Sequence, residues 1–237
     1  MSFLSSYLPF LSATLSLAFA IVVLGRWLRS RKHLHLLLWA IGLLMYSLGG
    51  FCEGWNGSLG WNPLAFRLWY LFGAMLVAAW LGQGTVFLLA KKRTARITLL
   101  ILGLASIYGA IRVFGATLDP TKLMGRELAG VAIASGGVRI LTPFFNIYGT
   151  LTLVGGAIWS AWLFFRKRQL RNRAIGNVLI ALGALMPAFG GTFSRFGLPN
   201  ALYISEFLGA FIMFAGFLTA VRPEASEAFK AEAKKQA

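Results

Sequence analysis

Seven apolar stretches, each long enough to cross a bilayer as a helix, divide this 237-residue chain, and its basic residues gather in alternate gaps between them. Seventeen of its 23 Lys and Arg residues fall in four clusters. These are Arg26, Arg29, Arg31 and Lys32; Lys91, Lys92, Arg93 and Arg96; Arg166, Lys167, Arg168, Arg171 and Arg173; and Arg222, Lys230, Lys234 and Lys235. The other gaps hold Arg67, Arg112, Lys122, Arg126, Arg139 and Arg195. Basic loops stay on the cytoplasmic side, so the pattern places the N-terminus outside and the C-terminus inside.

The expected spans run over Leu8–Leu24, Leu36–Phe51, Pro63–Ala90, Ile97–Phe114, Leu141–Phe165, Ala174–Gly191 and Asn200–Val221. In hydrocarbon every backbone polar group needs a partner within the segment, and these runs are too long for barrel strands. The expected fold is therefore all-α: a multi-pass, seven-helix bundle over residues 1–222 with a short cytoplasmic tail over 223–237. The tail begins at Pro223 and reads as a short solvated helix. Met1–Tyr7 lacks a basic region, so the first span reads as a retained helix rather than a removed signal peptide.

The +16 net charge would suggest nucleic acid in a soluble protein. Here each cluster abuts an apolar span, so the charge sets topology and meets anionic headgroups; no nucleic-acid partner is expected. The one cysteine, Cys52, allows no intrachain disulfide. His33 and His35 lie beside the first basic cluster, and no His, Cys, Asp or Glu spacing resembles a metal site. The seventh span contains no lysine, which excludes a retinal Schiff base. No cofactor and no catalytic activity are expected.

Small residues recur as Gly49–Gly50, Gly155–Gly156 and Gly190–Gly191, and again over Gly183–Pro187 and Gly209–Gly216. They read as close helix packing, with a kink at Pro187. The longest connection, 116–140, carries alternating apolar residues about Ser135-Gly136-Gly137, which favours a hairpin over a short surface helix.

Chemistry is confined to the outer ends of the spans. Glu53, Arg67, Arg112, Arg195 and Glu206 lie there, and the cost of unpaired charge near hydrocarbon predicts that acids and arginines pair. Such a cluster carries one net positive charge and would suit an anionic ligand. Trp55, Trp69 and Tyr203 would wall it, if they do not simply form an interfacial belt. Asn56, Asn62, Gln83, Asn146 and Ser205 are polar neighbours able to contribute.

The segment Leu36–Leu89 resembles the seven-helix sensory module at the N-terminus of some bacterial histidine kinases and diguanylate cyclases. In those modules a Trp and small residues precede an acid at the end of the second helix, as Trp39 and Glu53 do here. An aromatic-rich third helix follows, as in Arg67-Leu68-Trp69-Tyr70, and Phe144-Phe145-Asn146-Ile147-Tyr148 fits the same pattern loosely. The resemblance implies a receptor-like sensory or regulatory protein of the bacterial cell membrane, which would bind something small, lipid-like or proteinaceous at its outer side, a small-molecule ligand among these. With no kinase or cyclase domain in the sequence, it would act through a protein partner in the membrane or at the cytoplasmic face. The alternatives are a structural or accessory subunit of a larger membrane complex and a transporter of an anionic solute.

Overall fold

A computed structural model describes residues 3–123, 127–166, 170–196, 198 and 201–222, with side chains throughout except at 3–5 and 195. It is all-helical, and no strand forms among the described residues. Among the described residues seven helices are long and apolar enough to cross a membrane. They are α1 (Phe3–Ser30), α2 (Leu34–Leu59), α3 (Pro63–Leu89), α4 (Lys92–Phe114), α5 (Val138–Arg166), α6 (Arg171–Arg195) and α7 (Ala201–Ala220).

Most helices outrun the apolar stretches that announce them. The first apolar run stops at Arg26, but α1 continues to Ser30; α6 begins at Arg171 and ends at Arg195, beyond the expected Ala174–Gly191. Lys and Arg are good helix formers, so hydrogen bonding does not end where hydrophobicity does. The largest consequence is in α2, which runs two turns past Phe51 to Leu59 and places Glu53 inside the helix rather than at its end. Gly60, at φ 90°, then turns the chain. Asn62 starts α3: its Oδ1 accepts from the amides of Leu64 at 2.9 Å and Ala65 at 3.0 Å, with Pro63 at the first helical position.

Within α3 the segment Trp69–Leu76 is π-helical, between α-helical Pro63–Leu68 and Val77–Leu89. A π turn loosens the backbone ladder; such turns are rare and are frequently found at functional sites. Here α2 presses on it: a Cβ at Gly49 would sit 2.8 Å from the Cα of Gly73. Asn146 of α5 supplies a further bond, its Nδ2 donating to the Ala74 carbonyl at 3.1 Å.

The helices form a ring in the order α1, α2, α3, α5, α6, α7, which closes back on α1, and α4 leans on α3 from outside. The centre is filled by Phe19 and Val23 of α1, Leu43 of α2, Leu81 of α3, Leu153 of α5 and Met213 and Phe217 of α7. A second cluster, with Phe66, Trp69, Met75 and Val113, lies under the connection between α4 and α5. Away from these cores Ile97, Leu100, Leu104, Ile107 and Ile111 of α4 stand exposed, as expected of a face turned to hydrocarbon.

The expected hairpin does not form. Val138–Ile140 already belong to the first turn of α5, and Gly130–Ala132 is a 3₁₀ turn. The antiparallel contact is instead with residues 117–119: the Asp119 amide donates to the Ala132 carbonyl at 2.7 Å, and the Ala134 amide to the Thr117 carbonyl at 2.9 Å. Alternation survives as one bridge because the stretch is too short, and too quickly taken over by α5, to pair with itself. Pro187 lies inside α6 as expected, its ring against Gly209 of α7. The tail over 223–237 lies outside the described residues.

One titration in this connection is accessible to measurement. The Thr121 hydroxyl donates to Asp119 Oδ1 at 2.5 Å and the Thr121 amide at 3.1 Å, and Lys122 lies 3.7 Å from the other oxygen. The hydroxyl bond above all, then the amide and Lys122, hold the carboxyl below its ordinary range. A lowered folded value means stability present above the unfolded pKa and lost as pH falls through the folded one. Protection of the Thr121 amide, its exchange rate compared with that of an unstructured peptide at the same pH, is therefore expected to fall below about pH 4, and to be lost at every pH in Asp119→Ala.

Candidate functional site

The outer polar residues converge, but not in the expected pairs. Glu53, 3% exposed, accepts a hydrogen bond from the Trp69 indole Nε1 at 2.6 Å on its Oε1. Trp69 opens the π segment, and Gly73, one turn on, leaves room for the indole beside its backbone. Across the ring, the Glu206 carboxyl of α7 lies within hydrogen-bonding reach of the Glu53 carboxyl. Two ionised carboxylates are both acceptors, and Glu53 Oε2 indeed has no donor. A bond between them needs one hydrogen, or a cation in its place.

Hydroxyls surround this pair. Tyr46, seven residues before Glu53 and so on the same face of α2, donates to the Glu206 backbone carbonyl at 2.9 Å. Ser12 of α1, fully buried, sits beside the Tyr46 hydroxyl. The Ser12 and Ser16 hydroxyls are buried without a hydrogen-bond partner of good geometry. Tyr203, one turn before Glu206, is 2% exposed and lies in the field of Glu53, Glu127 and Glu206. Glu127 joins from the α4–α5 connection, its Oε2 accepting from Ser194 of α6 at 2.6 Å.

The arginines go elsewhere, which corrects the expected acid–arginine pairing for two of the three. Arg67 Nη2 donates to the Ala116 carbonyl at 3.0 Å, and Arg112 donates to the Tyr108 hydroxyl at 2.7 Å and the Gly136 carbonyl at 3.2 Å. Both guanidinium groups therefore pin the α4–α5 connection, whose carbonyls lack strand partners. Arg195 is the last residue of α6, and its side chain lies outside the described residues. Among the described residues the one ion pair is Lys122 with Asp119. The described cluster is thus acidic, and neither Arg67 nor Arg112 offers it a cation.

Trp55 stacks obliquely on Phe51 at 6.3 Å, and two residues along a helix is a rotation of about 200°, so it faces away from Glu53. Asn62 is spent capping α3, and Asn146 on the π segment. Gln83 lies at the opposite end of α3, donating to the Ala95 carbonyl at 2.9 Å and Thr98 at 3.0 Å while Tyr148 donates to it at 2.5 Å. Sequence reasoning missed Ser12, Tyr46, Glu127 and Ser194. The seven-residue step from Tyr46 to Glu53 was a visible signal of a shared face.

Among the described residues no group of His, Cys, Asp and Glu is arranged to hold a metal ion. Removing the indole donor should leave a buried carboxyl oxygen unsatisfied. Trp69→Phe is expected to lower stability by about 1–3 kcal/mol, read as a thermal shift. A shift no larger than that of Trp55→Phe would show that the bond contributes nothing.

No family model matches the chain, and neither a curated protein nor a solved structure is similar enough to it to lend it a family or a function.

Proposed function

We propose that this chain is a receptor-like, regulatory multi-pass membrane protein, N-terminus outside and C-terminus inside. It responds at the outer ends of α2 and α7 to a small cationic group. Support for the membrane placement comes from seven apolar helices, an apolar outer surface and the alternating basic clusters. One observation carries the ligand class: Glu53 and Glu206 face each other inside the bundle, with Arg67 and Arg112 turned away. Acids within a membrane bundle are costly and usually functional. Two carboxyls, beside the indole of Trp69 and the phenol of Tyr203, suit a proton or a protonated amine, not the anion that residue counts suggest. The likeness of Leu36–Leu89 to bacterial sensory modules supports signalling rather than catalysis, passed to a protein partner at the cytoplasmic face.

Reporter fusions after Arg31, Arg93 and Arg168 test the orientation; all three should read as cytoplasmic, and external readings would reverse it. Titrating the full chain in lipid nanodiscs tests the ligand class. Methylammonium should change tryptophan emission saturably, and acetate should not. Saturable change with acetate alone would overturn the cationic reading.

A further inference from the structure

Far from the acid pair, α5 and α6 leave an apolar groove of about 340 Å³ on the outer surface of the ring. Ile158, Trp162 and Phe165 line one wall, and Val178, Leu182 and Leu185 the other. At its basic end Arg166 lies over the Trp162 ring, 4.8 Å from the centroid, and Trp162 stacks on Trp159 at 5.1 Å. Arg171 precedes Val178 by seven residues, which puts it on the groove face of α6, about 10 Å beyond that residue. Both arginines are exposed, and neither forms an ion pair among the described residues.

We propose that this groove is a binding site for one anionic phospholipid. An acyl chain lies between α5 and α6, and the headgroup phosphate is held by Arg166 and Arg171. The groove lining is apolar along its whole length, so it excludes a polar occupant. The charge at its mouth is positive and unopposed by described acids, which selects an anionic headgroup over a zwitterionic one. Stacking on Trp162 steadies the Arg166 guanidinium at one edge of the groove while leaving its N–H edge free for a phosphate. Trp159 and Trp162 stand 54% and 45% exposed, where an indole pair marks the headgroup boundary.

The proposal rests on the membrane reading, so two measurements keep them apart. If the chain stays with membranes in alkaline carbonate, the membrane reading stands; its release overturns that reading and the lipid site with it. Lipid choice is read by native mass spectrometry of the full chain, offered phosphatidylglycerol and phosphatidylcholine with identical acyl chains. The parent should retain phosphatidylglycerol roughly tenfold better. Arg166→Ala combined with Arg171→Ala should bring that ratio close to one. Leu182→Trp, at a half-exposed position where the fold tolerates bulk, should reduce phosphatidylglycerol retention by filling the groove; its thermal midpoint serves as the folding control. Equal retention of the two lipids by the parent overturns the site. So does an unchanged preference in the double variant, or unchanged retention in a folded Leu182→Trp. Displacement of the lipid by millimolar inorganic phosphate would show that the headgroup alone binds, and overturns the acyl groove.

Discussion

Gly183→Leu should unfold the α6–α7 pair, lowering the thermal midpoint by roughly 10 °C or preventing folding altogether. The two helices form the most extensive contact in the bundle. At their crossing a Cβ on Gly183 would lie 2.7 Å from both the Gly209 carbonyl and the Met213 amide. Those are backbone atoms, which cannot swing aside as a side chain would. Overpacking a core typically costs 1–3 kcal/mol, and rigid neighbours push this to the upper end or beyond. For a chain of this length each kcal/mol moves the midpoint by about 2–4 °C. Gly155→Leu is the matched control, because nothing lies within 4 Å of a Cβ there. It should be neutral or slightly stabilising, since leucine is the better helix former. Equal losses in the two variants would mean that generic glycine loss, not the α6–α7 contact, controls stability.

That contrast marks where sequence reading stopped. Gly155 and Gly156 look like one packing motif, yet Gly156 meets the Thr85 methyl of α3 while Gly155 faces open space. Composition names the small residue, and only the crossing geometry says which one is used. The seven helices were legible because a 20-residue apolar run has few ways to satisfy its backbone. Helix ends were not, since arginine and lysine continue a helix as readily as leucine does. The π segment at Trp69–Leu76 left no mark, for its residues would serve equally in an α-helix. At the site, the sequence identified Glu53, Trp69, Tyr203 and Glu206 as neighbours at one end of the chain's spans. It misassigned Arg67 and Arg112, whose long side chains reach backbone carbonyls of the α4–α5 connection. Charge counting balances acids against bases but omits the backbone as a competing acceptor.

The acid pair gives the second large effect, and Glu206→Gln separates its structural role from its binding role. Glutamine keeps the shape of glutamate and adds an amide donor beside the Glu53 carboxyl, whose Oε2 has none in the parent. It also removes one of two carboxyls that repel each other when both are ionised. The variant should therefore fold as stably as the parent or better, while Glu206→Lys puts a cation permanently beside Glu53 in place of the second acid. If the pair binds an ammonium group, the parent's midpoint should rise with methylammonium. A ligand at about 100 times its dissociation constant adds about 2.7 kcal/mol, or several degrees here. Glu206→Gln halves the available negative charge and should lose most of that rise. In Glu206→Lys the rise should vanish because the site is already filled from within. Arg67→Ala, by contrast, should keep the full rise and lose only the order of the connection around Ala116. The opposite outcome, no rise with methylammonium in the parent but a rise with acetate that Arg67→Ala abolishes and Glu206→Gln preserves, would return the site to the arginines and to an anionic ligand. The decisive residues are therefore Glu206 and Arg67, because the competing ligand classes require opposite responses from them.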